Sequence, residues 1–157
     1  MWTTLGATLL GAFIATGSSL LIESRRDRRA IAAEWRKERR ELYGAFLTAL
    51  LGVRSDLWTI SRDEQMADTE RMSAARAIFV QCYGLRYQLE IFAPRSVVEP
   101  ALEYFWSVRR LREAVGSGLR WEDSERQVHD EAVAHTLQAT KVAMRLDMKT
   151  DATGTDG

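Results

Sequence analysis

A chain of 157 residues in which 22 Lys and Arg balance 22 Asp and Glu carries no formal net charge, so it lacks the basic excess that general nucleic-acid binding needs. Two prolines and ten glycines are too few breakers for a loop-rich fold and suit long helices. The length fits one domain of ordinary size, and the sole cysteine, Cys82, excludes an intrachain disulfide framework.

No charged side chain occurs from Trp2 to Ile22. As a helix this run spans roughly 30 Å, the hydrocarbon thickness of a bilayer, so residues 1–22 are expected to form a single transmembrane anchor. A cleaved signal peptide carries positive charge ahead of its apolar run and small residues at its end. Here Arg25, Arg26, Arg28 and Arg29 follow the run, and Leu20-Leu21-Ile22-Glu23 makes a poor cleavage site. The positive-inside rule then puts the N-terminus outside and the rest of the chain in the cytosol. The same four arginines suit anionic lipid headgroups, although a topology signal alone accounts for them. Ala7, Gly11, Ala15 and Ser19 recur every four residues, a small-residue face that lets membrane helices pack closely. Small residues are also common in membrane helices that pack on nothing.

Residues 23–41 are densely charged and read as a juxtamembrane stalk, the start of a helix continuing to about Ile60. Glu34 and Glu38 with Arg36, Lys37, Arg39 and Arg40 can form exposed pairs along it. Apolar residues at Ile31, Trp35, Leu42, Phe46, Ala49, Leu50, Val53, Leu57 and Ile60 are spaced by threes and fours. After a polar turn near 61–65, a second helix is expected to run to Phe92, with Met72, Ala75, Phe79, Cys82, Leu85, Leu89 and Phe92 on one face. Pro94 stops it. Ser96 and Glu99 have the spacing of a capping box, but Pro100 implies either an irregular first turn or a helix beginning at the proline. Leu102, Phe105, Val108, Leu111 and Val115 form its apolar face, and Gly116-Ser117-Gly118 ends it. A last helix is expected from Asp123 or Ser124 to Met148. It carries Val128, Ala132, His135, Ala139, Val142 and Leu146 on one stripe, with Val133, Leu137 and Met144 adjoining. Residues 149–157 have little apolar content and are expected to be disordered. The fold class is therefore all-α: a single N-terminal transmembrane helix, then an antiparallel bundle of three to four helices over 42–148.

Chemistry is sparse. His129 and His135 lie six residues apart, about 120° out of phase on a helix, and cannot share a metal as an i,i+4 pair does. Cys82 falls on an apolar face and reads as buried and inert. No nucleophile, phosphate loop or dinucleotide motif is present in the sequence, so no catalytic, cofactor or metal residues are assigned and an enzyme is not expected. Tyr83, Tyr87 and Trp106 exceed what one stripe can bury, which suggests an aromatic partner surface. A wide helix face in a small bundle is the plainer explanation of them.

The stretch Trp35-Arg36-Lys37-Glu38-Arg39-Arg40-Glu41-Leu42-Tyr43-Gly44-Ala45-Phe46-Leu47, following an apolar helix and an arginine cluster, resembles small bacterial membrane proteins of unknown function. In them a W-x-x-E-R-R-x-L-Y-x-x-F-L segment opens a helical domain. The resemblance covers roughly the first 60 residues and implies a bacterial inner (plasma) membrane location, with no catalytic residues to carry over. The expected function is a non-enzymatic, membrane-anchored interaction or scaffold protein that binds membrane lipid and self-associates or holds another membrane protein. The alternative is a membrane-tethered sensor or effector responding to a small ligand or lipid.

Overall fold

The computed structural model describes the backbone of residues 3–153 and the side chains of residues 33–149. Five helices account for its regular structure: α1 (Thr3–Arg62), α2 (Asp68–Ala77), α3 (Val80–Phe92), α4 (Arg95–Gly116) and α5 (Ser124–Thr153). No strand occurs among the described residues. The chain divides into two units, Met1–Glu38 and Arg39–Gly157. Among the described residues no helix is long and apolar enough to cross a membrane. The expected anchor at 1–22, its packing face (Ala7, Gly11, Ala15, Ser19) and the arginines Arg25, Arg26, Arg28 and Arg29 lie outside the residues whose side chains are described. In the first unit, Trp35 is 47 % exposed and so does not continue the buried face of α1 as its spacing suggested.

The second unit is an antiparallel helical bundle. From Leu42 onward α1 buries Leu42, Tyr43, Phe46, Leu50, Val53, Leu57 and Ile60, the 3–4 spacing that keeps one stripe inward. Removing a side chain such as Leu50 or Leu57 from water contributes about 1.5–3 kcal/mol. Helix α4 supplies as large a share of the core, with Val97, Ala101, Tyr104, Phe105, Val108, Leu111 and Val115 all fully buried, and it packs against α2, α3 and α5. Cross-links fix the directions. Ser107 Oγ lies 2.8 Å from Thr136 Oγ1, and the Thr140 hydroxyl lies 2.9 Å from the Pro100 carbonyl oxygen, so α5 runs back along α4. Arg126 donates to Ser61 Oγ at 2.6 Å while Arg39 donates to Asp147 at 3.2 Å, so α5 also runs opposite to α1.

The joints depart from the sequence reading in three places. The expected helix ending at Phe92 is broken at Ile78–Phe79, where the Phe79 and Cys82 amides bond three residues back, to Arg76 and Phe79, at 3.2 and 3.1 Å. This tightened turn keeps the Phe79 ring fully buried against Phe105 and Tyr83, at 5.1 and 5.5 Å. Helix α4 begins at Arg95, with Pro94 as the extended N-cap and no side-chain capping bond. Glu99 accepts from Arg95 at 2.6 Å instead of serving Ser96; Pro100 is carried inside the helix. Finally, α5 runs to Thr153, several residues beyond the end implied by the loss of apolar side chains.

Helix ends are closed by named groups. At the end of α4, Leu119 N–H bonds the Ala114 carbonyl at 2.9 Å and Gly118 N–H bonds Val115 at 3.1 Å, with Gly118 at φ +109°. That is a Schellman closure, which calls for a glycine at the left-handed residue. The end of α1 is held by Arg71, a fully buried arginine that donates to the carbonyls of Ile60 (2.8 Å), Asp63 (2.8 Å) and Met66 (3.0 Å). A guanidinium among the terminal carbonyls of a helix meets the negative end of its dipole, which compensates burial of a charge that no carboxylate among the described residues pairs.

Candidate interaction surface

Helix α5 carries two apolar stripes, and the bundle uses the one that looks weaker in the sequence. Its buried residues are Arg126, Val133, Thr140 and Met144. Thr140 satisfies its hydroxyl on the Pro100 and Thr136 carbonyls at 2.9 and 2.8 Å. Arg126 satisfies its guanidinium on Ser61 at 2.6 Å and Asp130 at 3.3 Å, beneath the Trp121 ring at 4.9 Å. The more conspicuous stripe faces outward: Val128 is 67 % exposed, Val142 44 % and Leu146 58 %, and Ala132, His135 and Ala139 between them are also exposed. His135 is thus a surface residue, although it falls on the apolar stripe read from the sequence.

The outward stripe repeats by four and three, at 128, 132, 135, 139, 142 and 146. That is the 3.5-residue period of a coiled-coil seam, alternating between a and d positions. Alongside its C-terminal half, Pro94 and Ser96 at the start of α4 combine with His135, Ala139, Val142 and Leu146 to line an open groove of about 650 Å³. Asp147 also lines it. The Asp147 carboxylate accepts from the Tyr43 hydroxyl at 2.7 Å and from Arg39 at 3.2 Å. Two residues of the W-x-x-E-R-R-x-L-Y segment therefore clamp α5 onto α1 and hold the groove wall.

The three aromatics proposed from sequence separate. Tyr83 and Trp106 are half-buried and pack edge-on against Phe105 at 5.6 and 5.2 Å. Trp106 also lies between the guanidinium groups of Arg86 and Arg109, at 5.1 and 5.0 Å; Glu90 holds the first at 2.7 Å and Glu113 the second at 2.9 Å. The bond from Arg109 holds the Glu113 carboxyl below its ordinary range. Only Tyr87 is well exposed, at 56 %, and Arg86 covers its ring at 5.1 Å. Of the two readings of this cluster, a wide core face or a partner surface, the burial of Tyr83 and Trp106 fits the first, because Phe79 and Phe105 supply ring edges that draw them inward.

At the far end of the bundle, Trp58 and Trp121 meet edge to face at 5.7 Å with Arg62 over Trp58 at 4.6 Å. Arg120 donates to the Asp63 carbonyl at 2.8 Å, and Trp121 N–H to Ser61 at 3.3 Å. These bonds brace the α4–α5 loop against the end of α1. Cys82 is buried, and burial pushes its thiol up to about 11. Among the described residues no three His, Cys, Asp or Glu side chains come together as metal ligands. Comparison of the chain with protein-family models, curated proteins and solved structures finds no match.

Proposed function

We propose that this protein is a membrane-anchored helical interaction module that uses the outward face of α5 to assemble at the inner face of a bacterial membrane. The observation that carries the reading is the exposed seam from Val128 to Leu146. An amphipathic helix already buried through one face has no intramolecular use for a second apolar stripe of coiled-coil period, and contiguous exposed apolar surface marks an interaction site. The anchor is supported by the uncharged run from Trp2 to Ile22 and its orientation by the four arginines that follow.

Affinity purification of the full-length chain from solubilised membranes, wild type beside Val142→Arg, tests this reading. The wild type is expected to bring down further copies of itself or one recurrent partner, resistant to alkaline extraction of the membranes, and V142R to lose it while keeping its helicity. Alkaline release of the chain, or identical captures from both proteins, would count against the reading.

One observation favours a second reading, a sensor of a small apolar ligand or lipid. The groove beside His135 has a volume of about 650 Å³, inside the range of small-molecule sites. A thermal shift produced by a single-chain lipid and abolished by Ala139→Trp would support it.

A further inference from the structure

Where α2 crosses α4 the two backbones come close, because Gly116 has no side chain: a Cβ there would lie 3.7 Å from both the Ala75 Cβ and the Met72 Cα. Beside this crossing opens a pocket of about 380 Å³, within the range of small-molecule sites. Three arginines line it, Arg76 from α2 with Arg109 and Arg112 from α4, against one carboxylate, Glu113. We infer that this pocket is a binding site for a phosphoryl group, carried by a small soluble phosphate ester or by a lipid headgroup. None of its residues lies on α5, so the inference goes beyond the seam and does not depend on it.

The charge balance separates the pocket from an ordinary solvated helix face. On neighbouring faces arginine and carboxylate pair one to one, Arg86 with Glu90 at 2.7 Å and Arg95 with Glu99 at 2.6 Å. Here Glu113 Oε1 accepts from both Arg109 Nε and Arg112 Nη2 at 2.9 Å, so one oxygen gathers two guanidinium groups. The exposed guanidinium of Arg76 has no ion pair among the described residues. The resulting excess of two positive charges matches a phosphate monoester, which carries roughly −1.5 to −2 at neutral pH.

Aromatic rings fix two of the cations. Arg112, whose side chain is only 12 % exposed, lies over Phe79 at 5.2 Å, and Arg109 lies over Trp106 at 5.0 Å. A planar guanidinium held against a ring keeps its N–H bonds in its own plane. Both Nη atoms of Arg109, and Nε and Nη1 of Arg112, are left over by Glu113, and none of them is sealed in the core. They are placed for the forked bonds that arginine makes to phosphate oxygens. The carbonyls at the end of α4 do not compete for them, since those of Glu113, Ala114 and Val115 accept from the Ser117, Leu119 and Gly118 amides.

Calorimetric titration of the full-length chain in mild detergent tests the inference, with glycerol phosphate in one arm and micelles carrying phosphatidic acid in the other. At least one arm should show binding, with acetate weaker by about tenfold or more. Arg76→Gln and Arg112→Gln should each weaken the phosphoryl ligand by about tenfold or more, and Arg110→Gln, exposed on α4 but outside the pocket, should leave it unchanged. Because R76Q alters an exposed side chain, circular dichroism should show its helicity intact, and it carries the test if R112Q unfolds. Binding of glycerol phosphate that R76Q weakens supports the site with a soluble ester. Binding of phosphatidic acid alone, again weakened by R76Q, supports it with a headgroup. Silence in both arms, acetate bound as tightly, an inert R76Q, or an equal loss in R110Q overturns the inference.

Discussion

The hydroxyl of Tyr104 is fully buried and meets no hydrogen-bond partner among the described residues, while that of Tyr43 donates to Asp147 at 2.7 Å. The same substitution therefore has opposite expected effects. Tyr104→Phe removes an unsatisfied polar atom and keeps the edge contact with Phe46 at 6.4 Å, so stability should hold or rise by about 1 kcal/mol. Tyr43→Phe deletes a charge-assisted bond and should cost about 1.5–3 kcal/mol. Thermal unfolding of the full-length variants separates the two, and equal losses would refute the assignment. Burial also pushes the Cys82 thiol from its ordinary 9.0 to about 11 and the Tyr104 phenol from 10.0 to about 12. Both groups hold their protons more tightly folded than unfolded. Their contribution is thus complete below about pH 9 and is lost as the pH rises through 11 and 12. Unfolding temperatures measured from pH 8 to 11 should be level at first and then fall, and Cys82→Ala should flatten the early part of that fall.

At the scale of the helices, glycines distinguish positions that need flexibility from positions that do not. Gly44 and Gly52 on α1 and Gly84 on α3 have nothing within 4 Å of the place a Cβ would occupy, so changing each to alanine should stabilise its helix by about 0.5–1 kcal/mol. Gly118 sits at φ +109° in the closure of α4, and Gly118→Ala should destabilise by about 1 kcal/mol or more. Unfolding midpoints of the four variants should divide three against one. Gly44 and Gly52 also lie on an exposed small-residue face of α1, beside Leu51 at 44 % exposure. Loss of assembly in G52A, with stability raised, would move the interface from α5 to α1.

Much of this element structure was legible in the sequence. The inward faces of α1 and α4 follow from the apolar spacing of Leu42 to Ile60 and Phe105 to Val115, and Gly116-Ser117-Gly118 marks the end of α4. The break at Phe79 was not legible, because its backbone stays near helical values and no glycine or proline announces it. The orientation of α5 misleads for a physical reason. Its buried stripe contains Arg126 and Thr140, whose polarity is satisfied in part by Ser61 and by the Pro100 carbonyl, contacts across the fold that no local pattern reveals. The cleaner apolar stripe from Val128 to Leu146 then looks like the core. Its presence was visible from the start; that it faces outward, and hence its use, required the bundle.

For the whole molecule, α5 is two-sided: it closes the bundle through one face and leaves the other, apolar face exposed. The Tyr43–Asp147–Arg39 clamp and the Arg126–Ser61 bond tie both ends of α5 to α1, so the outward face is presented on a braced element, which lowers the ordering cost of association. Whether that face is covered in the membrane is the central claim. It is tested most directly by thiol labelling in native membranes. Cys82 is buried and its thiol is held protonated, so a variant carrying Ala139→Cys or Ala134→Cys has one reactive thiol, on the seam or on another exposed side of α5. The account predicts that a membrane-permeant maleimide labels A134C quickly and A139C at least about tenfold more slowly, and that adding Val142→Arg brings A139C up to the A134C rate. Equal labelling of the two cysteines without V142R would contradict it.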